Sequence, residues 1–281
     1  MTQKFVLVTA RDIHENGPEE DKLIADALHA RGAEVRTMVW SETDAGALVG
    51  ETVVIRTPWD YQEKFAAFVA WLKAVDKTAA RLVNPLGLLL GNIDKKYLAD
   101  MRERGFAVPE TVVCKSRAEL EAALAGPAFA DAVIKPTIGA SAIGLHRIRA
   151  DDPATWAAVD FSKPQLLQRF LPEIETGGEQ TFVFFGGKFS HAVRKRAKPG
   201  DIRVQVDWGG TVEVITPSPA LIDQAAHFLT ALPAPTTYAR VDTVEVDGQL
   251  LLMELEIIEP ELFCLYVPGT AEQFAEALLA L

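Results

Sequence analysis

Apolar positions open the chain in short runs that alternate with stretches of helical spacing. Residues 4–10 are a β-rich apolar run, followed by a polar loop over 11–18. From about 19 to 31 the spacing turns helical, with Leu23, Ala27 and Leu28 on one side, and Gly32 ends the helix. Residues 34–40 and 52–56 predict further strands, 65–75 a helix, and 81–84 a short strand. Strands alternating with helices predict a parallel sheet.

The pattern changes after Asn84-Pro85. A helix over about 93–104 leads into a strand at 108–113, and Ser116 caps a helix over 117–124. From residue 132 the strands become hairpin-like: 132–135, 145–148, 165–170, 181–185, 190–196, 204–207, 211–215, 238–246 and 250–258. Gly186-Gly187, Gly209-Gly210 and Asp247-Gly248 supply turns between several of them. One helix, about 220–232, interrupts the series and another closes the chain. The fold class is α/β followed by α+β, with no internal repeat or low-complexity segment.

Composition narrows the function. The 281 residues are 49% hydrophobic and 24% charged, with a formal net charge of −11. That charge argues against a nucleic-acid partner, which needs a basic field. Cys114 and Cys264 are far apart and outside any CxxC pattern, so neither a disulfide framework nor a zinc site is expected. The opening MTQKFVLVTARD turns polar too soon for a signal peptide, and no later run is long enough to span a membrane. The expected compartment is the cytoplasm.

The segment 238–261, YARVDTVEVDGQLLLMELEIIEPE, carries Asp242, Glu254 and Glu256 inside apolar strands. A buried carboxylate is costly unless it is paired or holds a cation. Glu254 and Glu256, two apart, share a strand face. The turn decides where Asp242 goes. A two-residue Asp247-Gly248 turn sets it opposite Met253, on the other face. A three-residue loop with Gly248 left-handed sets it opposite Leu252, on the face of the glutamates. Three carboxylates on one face would suit magnesium, whose shell is commonly completed by water and substrate phosphates, and so point to ATP. Taken alone, the alternation also describes a solvated strand face.

An apolar strand ends in Lys135-Pro136 and runs into Thr137-Ile138-Gly139-Ala140-Ser141-Ala142-Ile143-Gly144. Small residues let backbone N–H groups approach a phosphate, and the lysine adds a point charge. Because the lysine precedes the loop, this is not the Walker arrangement, and a plain hairpin turn would read similarly. Lys95 begins a predicted helix. In His191-Ala192-Val193-Arg194-Lys195-Arg196, alternation groups Arg194 with Arg196 as a cationic wall for a transferring phosphoryl group and points Lys195 away. In a parallel sheet, ligands gather beyond the carboxyl ends of strands. Arg11 and Asp12 after the first strand, and Arg56, Trp59, Asp60 and Tyr61 after the third, are therefore candidate substrate contacts. A structural loop with Trp59 in the core and Asp60 as a helix cap is the competing reading.

In this order, these residues resemble the ATP-grasp superfamily. The resemblance rests on Asn84-Pro85, Asp94-Lys95, Ile134-Lys135-Pro136 with its small-residue loop, and Leu167-Gln168-Arg169-Phe170. It continues through Gly178-Glu179, Gly200-Asp201-Ile202-Arg203, Ala239-Arg240-Val241-Asp242 and Glu254-Leu255-Glu256. It implies a pre-ATP-grasp α/β domain over 1–84, a small ATP-grasp lobe over 85–172 and a C-terminal lobe over 173–281. By the same resemblance, Lys95, Lys135, Gly139, Ala140 and Ser141 bind nucleotide. Gln168, Arg169, Phe170 and Leu171 border adenine, and Glu179 holds the ribose or a neighbouring group. Asp242, Glu254 and Glu256 hold Mg2+, although the family usually has asparagine in place of Glu256. Arg203, with Arg194 and Arg196, steadies the acyl phosphate or substrate. Within the superfamily the chain looks similar to cycloserine-forming cyclo-ligases and to glutathione-synthetase and ribosomal-S6-modification-like ligases. The implied activity is ATP-dependent joining of a small carboxylate to an amine. The alternatives are a nucleotide-binding regulator without ligase activity and a phosphotransferase.

Overall fold

The computed structural model describes residues 2–14, 18–140 and 142–281. Ser141, one of the expected loop residues, lies outside them. Four parallel strands, β1 (Lys4–Thr9), β2 (Glu34–Val39), β3 (Thr52–Thr57) and β4 (Arg81–Val83), form a sheet in the order β2-β1-β3-β4. Helices α1 (Arg11–His14), α2 (Glu19–His29) and α3 (Phe65–Asp76) connect them. Alternation along the strands serves two cores. Val6, Val8, Val53 and Ile55 pack with Phe68, Leu72 and Val75 of α3. Phe5, Leu7 and Val54 join Ile24 and Leu28 of α2 in the other core. The polar stretch expected as a loop over 11–18 begins with the single turn of α1.

The helix expected over 93–104 forms only as α5 (Tyr97–Glu103), and an unanticipated helix, α4 (Leu86–Asn92), precedes it across a break. The break has a cause: Lys95 N–H bonds the Thr137 carbonyl at 2.7 Å instead of a helical one. Strands β5 (Thr111–Cys114), β6 (Asp131–Pro136), β7 (His146–Arg149) and β8 (Gln165–Arg169) form a second, antiparallel sheet in the order β5-β8-β6-β7. Helix α6 (Arg117–Leu124), capped by Ser116, packs Leu120 and Leu124 against Ile134, Ile148 and Leu167.

After α7 (Glu173–Gly177) come β9 (Glu179–Phe185), β10 (Lys188–Arg196), β11 (Thr211–Ile215), α8 (Pro219–Leu229), β12 (Tyr238–Val246), β13 (Gln249–Glu256) and α9 (Thr270–Leu279). The strands make an antiparallel sheet in the order β11-β10-β9-β12-β13. The strand expected over 204–207 is not formed. The chain instead turns through Val206–Trp208, left-handed Gly209 follows, and Gly210 N–H closes back on the Gln205 carbonyl. Helix α9 packs Phe274 and Leu278 into the core shared by the parallel sheet and the large sheet.

Polar side chains fasten these two sheets together. Buried Asn84 donates to the carbonyls of Tyr238 (3.0 Å) and Ile257 (2.8 Å) and accepts from Thr237 N–H (2.7 Å). Tyr238 Oη donates to the carbonyls of Ile55 (2.9 Å) and Ile258 (2.6 Å). Arg56, 1% exposed, bonds Glu20 (2.7 Å), Asp21 (2.9 Å) and the Pro260 carbonyl (3.1 Å). Its side chain thus runs sideways into a buried ion-pair network and not outward as a substrate cation. Removing one member of such a network strands the others' charge. Arg56→Ala should therefore cost about 3–5 kcal/mol of stability, read from urea denaturation. An unchanged midpoint together with weakened substrate saturation would return Arg56 to the substrate site.

Candidate functional site

The carboxylate face is built by a bulge. The turn at Asp247-Gly248 is the two-residue kind, with positive φ at both residues and Val246 paired with Gln249. Continued without interruption, that register would set Asp242 opposite Met253. Instead the pairing shifts between Thr243, opposite Leu252, and Asp242, opposite Glu254. Met253 is the extra residue on β13. Both turn readings thus miss the actual partner, yet Asp242 ends beside Glu254, and Arg240 lies opposite Glu256.

Charges around these carboxylates are closely paired. Asp242, almost fully buried, accepts from Thr181 Oγ1 (2.6 Å), Lys195 Nζ (3.2 Å) and Arg240 Nη2 (2.8 Å). Burial alone would raise its pKa; Arg240 and Lys195 outweigh that and hold it below the usual carboxylate range. Arg240 also bonds Glu256 at 2.5 Å. For Glu256 burial wins, and with the nearby charges of Glu254 and Asp242 it raises the pKa despite Arg240.

The basic strand β10 contributes Lys195. Alternation turns Lys195 toward Asp242 and toward Glu179, which it reaches at 2.5 Å. Arg194 and Arg196 take the opposite face, and Arg196 bonds the Thr176 carbonyl. The expected cationic wall of Arg194 and Arg196 is corrected accordingly. The strand's parity was legible, but which face meets the carboxylates was set by pairing with β9, which in turn pairs with β12. Gly178 permits this approach: at φ +75° its missing Cβ would lie 2.7 Å from the Lys195 carbonyl.

Across the cleft stand the other two lysines. Lys95 Nζ bonds Glu254 (2.8 Å) and the Gly139 carbonyl (2.6 Å), and Lys135 Nζ lies 3.6 Å from the second Glu254 oxygen. Burial pushes Glu254 upward, but the two lysines pull it down to about 2. Beside them, Gln168, Arg169, Phe170 and Leu171 line a recess with Val133, Glu179 and Met253. Gln168 gives its amide to Thr111 Oγ1 (3.0 Å), while its buried Oε1 has no partner among the described residues. Arg147 stacks over Phe170 at 3.6 Å.

A cavity of about 360 Å³ joins Lys95, Lys135, Gly139 and Ala140 to Glu254 and Glu256. Trp59 and Tyr61 reach its wall, as do Asn92, Tyr97, Glu259, Glu261 and Tyr266, which sequence reasoning missed. Tyr97 could have been suspected two residues after Lys95; the others gave no local signal. The remaining candidate substrate contacts do not line it. Asp60 accepts from Trp40 Nε1 and Lys64 Nζ, both at 2.7 Å. Arg11 pairs with Glu42, and Asp12 is exposed on α1. Arg203 lines the recess, bonded to Asp201 and stacked 3.7 Å over Trp208. No helix among the described residues is long and apolar enough to cross a membrane.

Comparison with known proteins gives these groups a context. Residues 5–84 match the family described as D-cycloserine synthetase DcsG, N-terminal domain, and residues 98–232 match prokaryotic glutathione synthetase, ATP-grasp domain. The cycloserine biosynthesis protein DcsG of Streptomyces lavendulae is 29% identical, with 91% of each chain covered. The crystal structure of D-cycloserine synthetase DcsG superposes with a TM-score of 0.82 over 99% of both chains at 27% identity. A RimK domain ATP-grasp protein from Sphaerobacter thermophilus shares the fold, with a TM-score of 0.70 over 98% of this chain and 99% of its own at 19% identity. With one match on the parallel-sheet part, another on the part that carries the lysines, and a likeness to DcsG along nearly the whole length, this chain belongs to the ATP-grasp superfamily and is an ATP-dependent ligase.

Proposed function

We propose that the chain activates the carboxylate of a small amino-acid-like molecule with ATP and closes it onto a nitrogen of the same molecule. The observation that carries the chemistry is the convergence of Lys95 and Lys135 on Glu254 beneath the glycine-rich loop. Ring closure, as opposed to joining two molecules, is supported by the whole-length likeness to DcsG. The substrate carboxylate attacks the γ-phosphorus, ADP leaves, and an acyl phosphate forms. Nitrogen then attacks the acyl carbon, inorganic phosphate leaves, and the nitrogen loses a proton.

In this reading, Lys95 and Lys135 exchange Glu254 for phosphate oxygens when nucleotide enters. The recess of Gln168, Arg169, Phe170 and Leu171 takes the base, and the unpartnered Gln168 Oε1 is suited to a donor. Arg203 offers a cation at its edge, while Trp59, Tyr61, Glu259 and Glu261 border the amine-bearing end of the substrate. Asp242, Glu254 and Glu256 are hard oxygen donors of the kind magnesium takes. Among the described residues no three acidic, histidine or cysteine side chains enclose an ion unaided. That fits an ion whose shell water and phosphates complete. When bound, magnesium would offset charge on the phosphates.

Incubation with ATP, magnesium and a panel of amino acids and their nitrogen-bearing O-derivatives, followed by mass spectrometry, should give a product lighter than its substrate by the leaving elements of ring closure. Hydroxylamine in the same reaction should divert the acyl phosphate to a hydroxamate. Phosphoryl retained on the product would make the protein a phosphotransferase instead.

Two substitutions separate chemistry from architecture. Glu254→Gln should reduce ATP turnover by roughly 100-fold or more, since it removes a charge at the reacting phosphates. Lys195→Ala should act first on stability, by about 3–5 kcal/mol, because it leaves Glu179 and Asp242 short of a buried cation. Wild-type turnover in the first variant, or a parental melting temperature in the second, would contradict these assignments.

A further inference from the structure

The glycine-rich loop is tied down by a residue outside the ATP-grasp lobes. Gln62 follows Tyr61 in the loop after β3, which belongs to the parallel-sheet part of the fold. Its side-chain Oε1 accepts the Ala140 N–H at 2.8 Å. Its backbone carbonyl accepts Lys163 Nζ at 3.2 Å. The next residue, Pro164, accepts the N–H of Thr137 at 3.0 Å. These bonds close a circuit from Gln62 through Ala140 and Thr137 to Pro164 and Lys163. On the other side, Lys95 holds the same loop through the carbonyls of Thr137 and Gly139.

We propose that Gln62 is a positioning residue that latches the glycine-rich loop over the cavity, so that the loop bearing Trp59 and Tyr61 and the loop over the phosphates are held as one. This rests on reading residues 137–144 as the cover of the nucleotide's phosphates. Ile138 packs the start of the loop against the core, but the small residues after it offer little packing, so hydrogen bonds from neighbours help to place them. The Gln62 oxygen takes the Ala140 N–H and so fixes the loop at that point. Binding then costs less ordering entropy. Because Tyr61 and Trp59 line the cavity one and three residues before Gln62, substrate seated against them would bear on the same latch.

The test compares Gln62→Ala with Gln62→Glu, which keeps an acceptor oxygen. Hydrogen exchange of peptides covering 138–144 is followed without nucleotide, and the affinity for a non-hydrolysable ATP analogue with magnesium is measured by calorimetry. A neutral hydrogen bond contributes about 1 kcal/mol, or about fivefold. Gln62→Ala should exchange about fivefold faster over this segment alone and bind the analogue about fivefold more weakly, with an unchanged melting temperature. Gln62→Glu should exchange at the parental rate. The latch is refuted if Gln62→Ala leaves exchange or analogue affinity unchanged, or if Gln62→Glu exchanges as fast as Gln62→Ala. It is equally refuted if exchange rises throughout the parallel-sheet part with a lowered melting temperature, which would mark Gln62 as merely structural. Exchange is read without substrate or turnover, so failure of the product panel would overturn the ligase reading and leave this result standing.

Discussion

Asp242 can remain ionised inside the protein only because Arg240, Lys195 and Thr181 surround it. Desolvating a carboxylate without such partners costs several kcal/mol, a large part of a domain's net stability. Much of the local architecture serves that requirement. The bulge at Met253 brings Glu254 beside Asp242, and Arg240 spans Asp242 and Glu256. Gly178 lets β9 begin close against β10, so that Glu179 reaches Lys195. The cleft floor is therefore a charge lattice in which the position of each group depends on its counter-ions.

That lattice has two regions with different uses. Around Asp242 and Lys195 the groups are almost wholly enclosed, and their pairing fixes the geometry of the sheet. Around Glu254 the cations come from elsewhere in the chain, Lys95 from the break between α4 and α5 and Lys135 from the end of β6. In the proposed function, a phosphate entering between the lysines would compete for cations already desolvated and aimed, and so need little reorganisation. The enclosed region supports the exchangeable one.

The parallel sheet contributes more than a platform. Its strand ends deliver Trp59 and Tyr61 to the cavity, while Arg56, Asn84 and Tyr238 bind it to the large sheet. Tyr61 and Glu259 both line the cavity, so a loop of the first sheet and the segment after β13 form a common wall.

Periodicity alone gave the parallel first sheet and the antiparallel strands after it, since burial on two faces and on one leave different patterns. Carboxylates inside apolar strands and lysines beside a small-residue loop marked the chemistry, because buried charge is too costly to be incidental. Parity grouped Arg194 with Arg196 and set Lys195 apart, but it could not say which face would meet Asp242; strand pairing decided that. It could not reveal a bulge at Met253, which compensates a turn that by itself would have put Asp242 on the wrong side. Nor could it separate Arg56, buried against Glu20 and Asp21, from Trp59 and Tyr61 a few residues later. Gln62 carried no charge or periodic signal, and its contact with Ala140 joins parts of the chain far apart in sequence. Sequence by itself determined the strand types and the reactive groups, which depend on local spacing and residue chemistry. Only the tertiary structure decided which charges neutralise one another, because that depends on register and on the approach of distant strands.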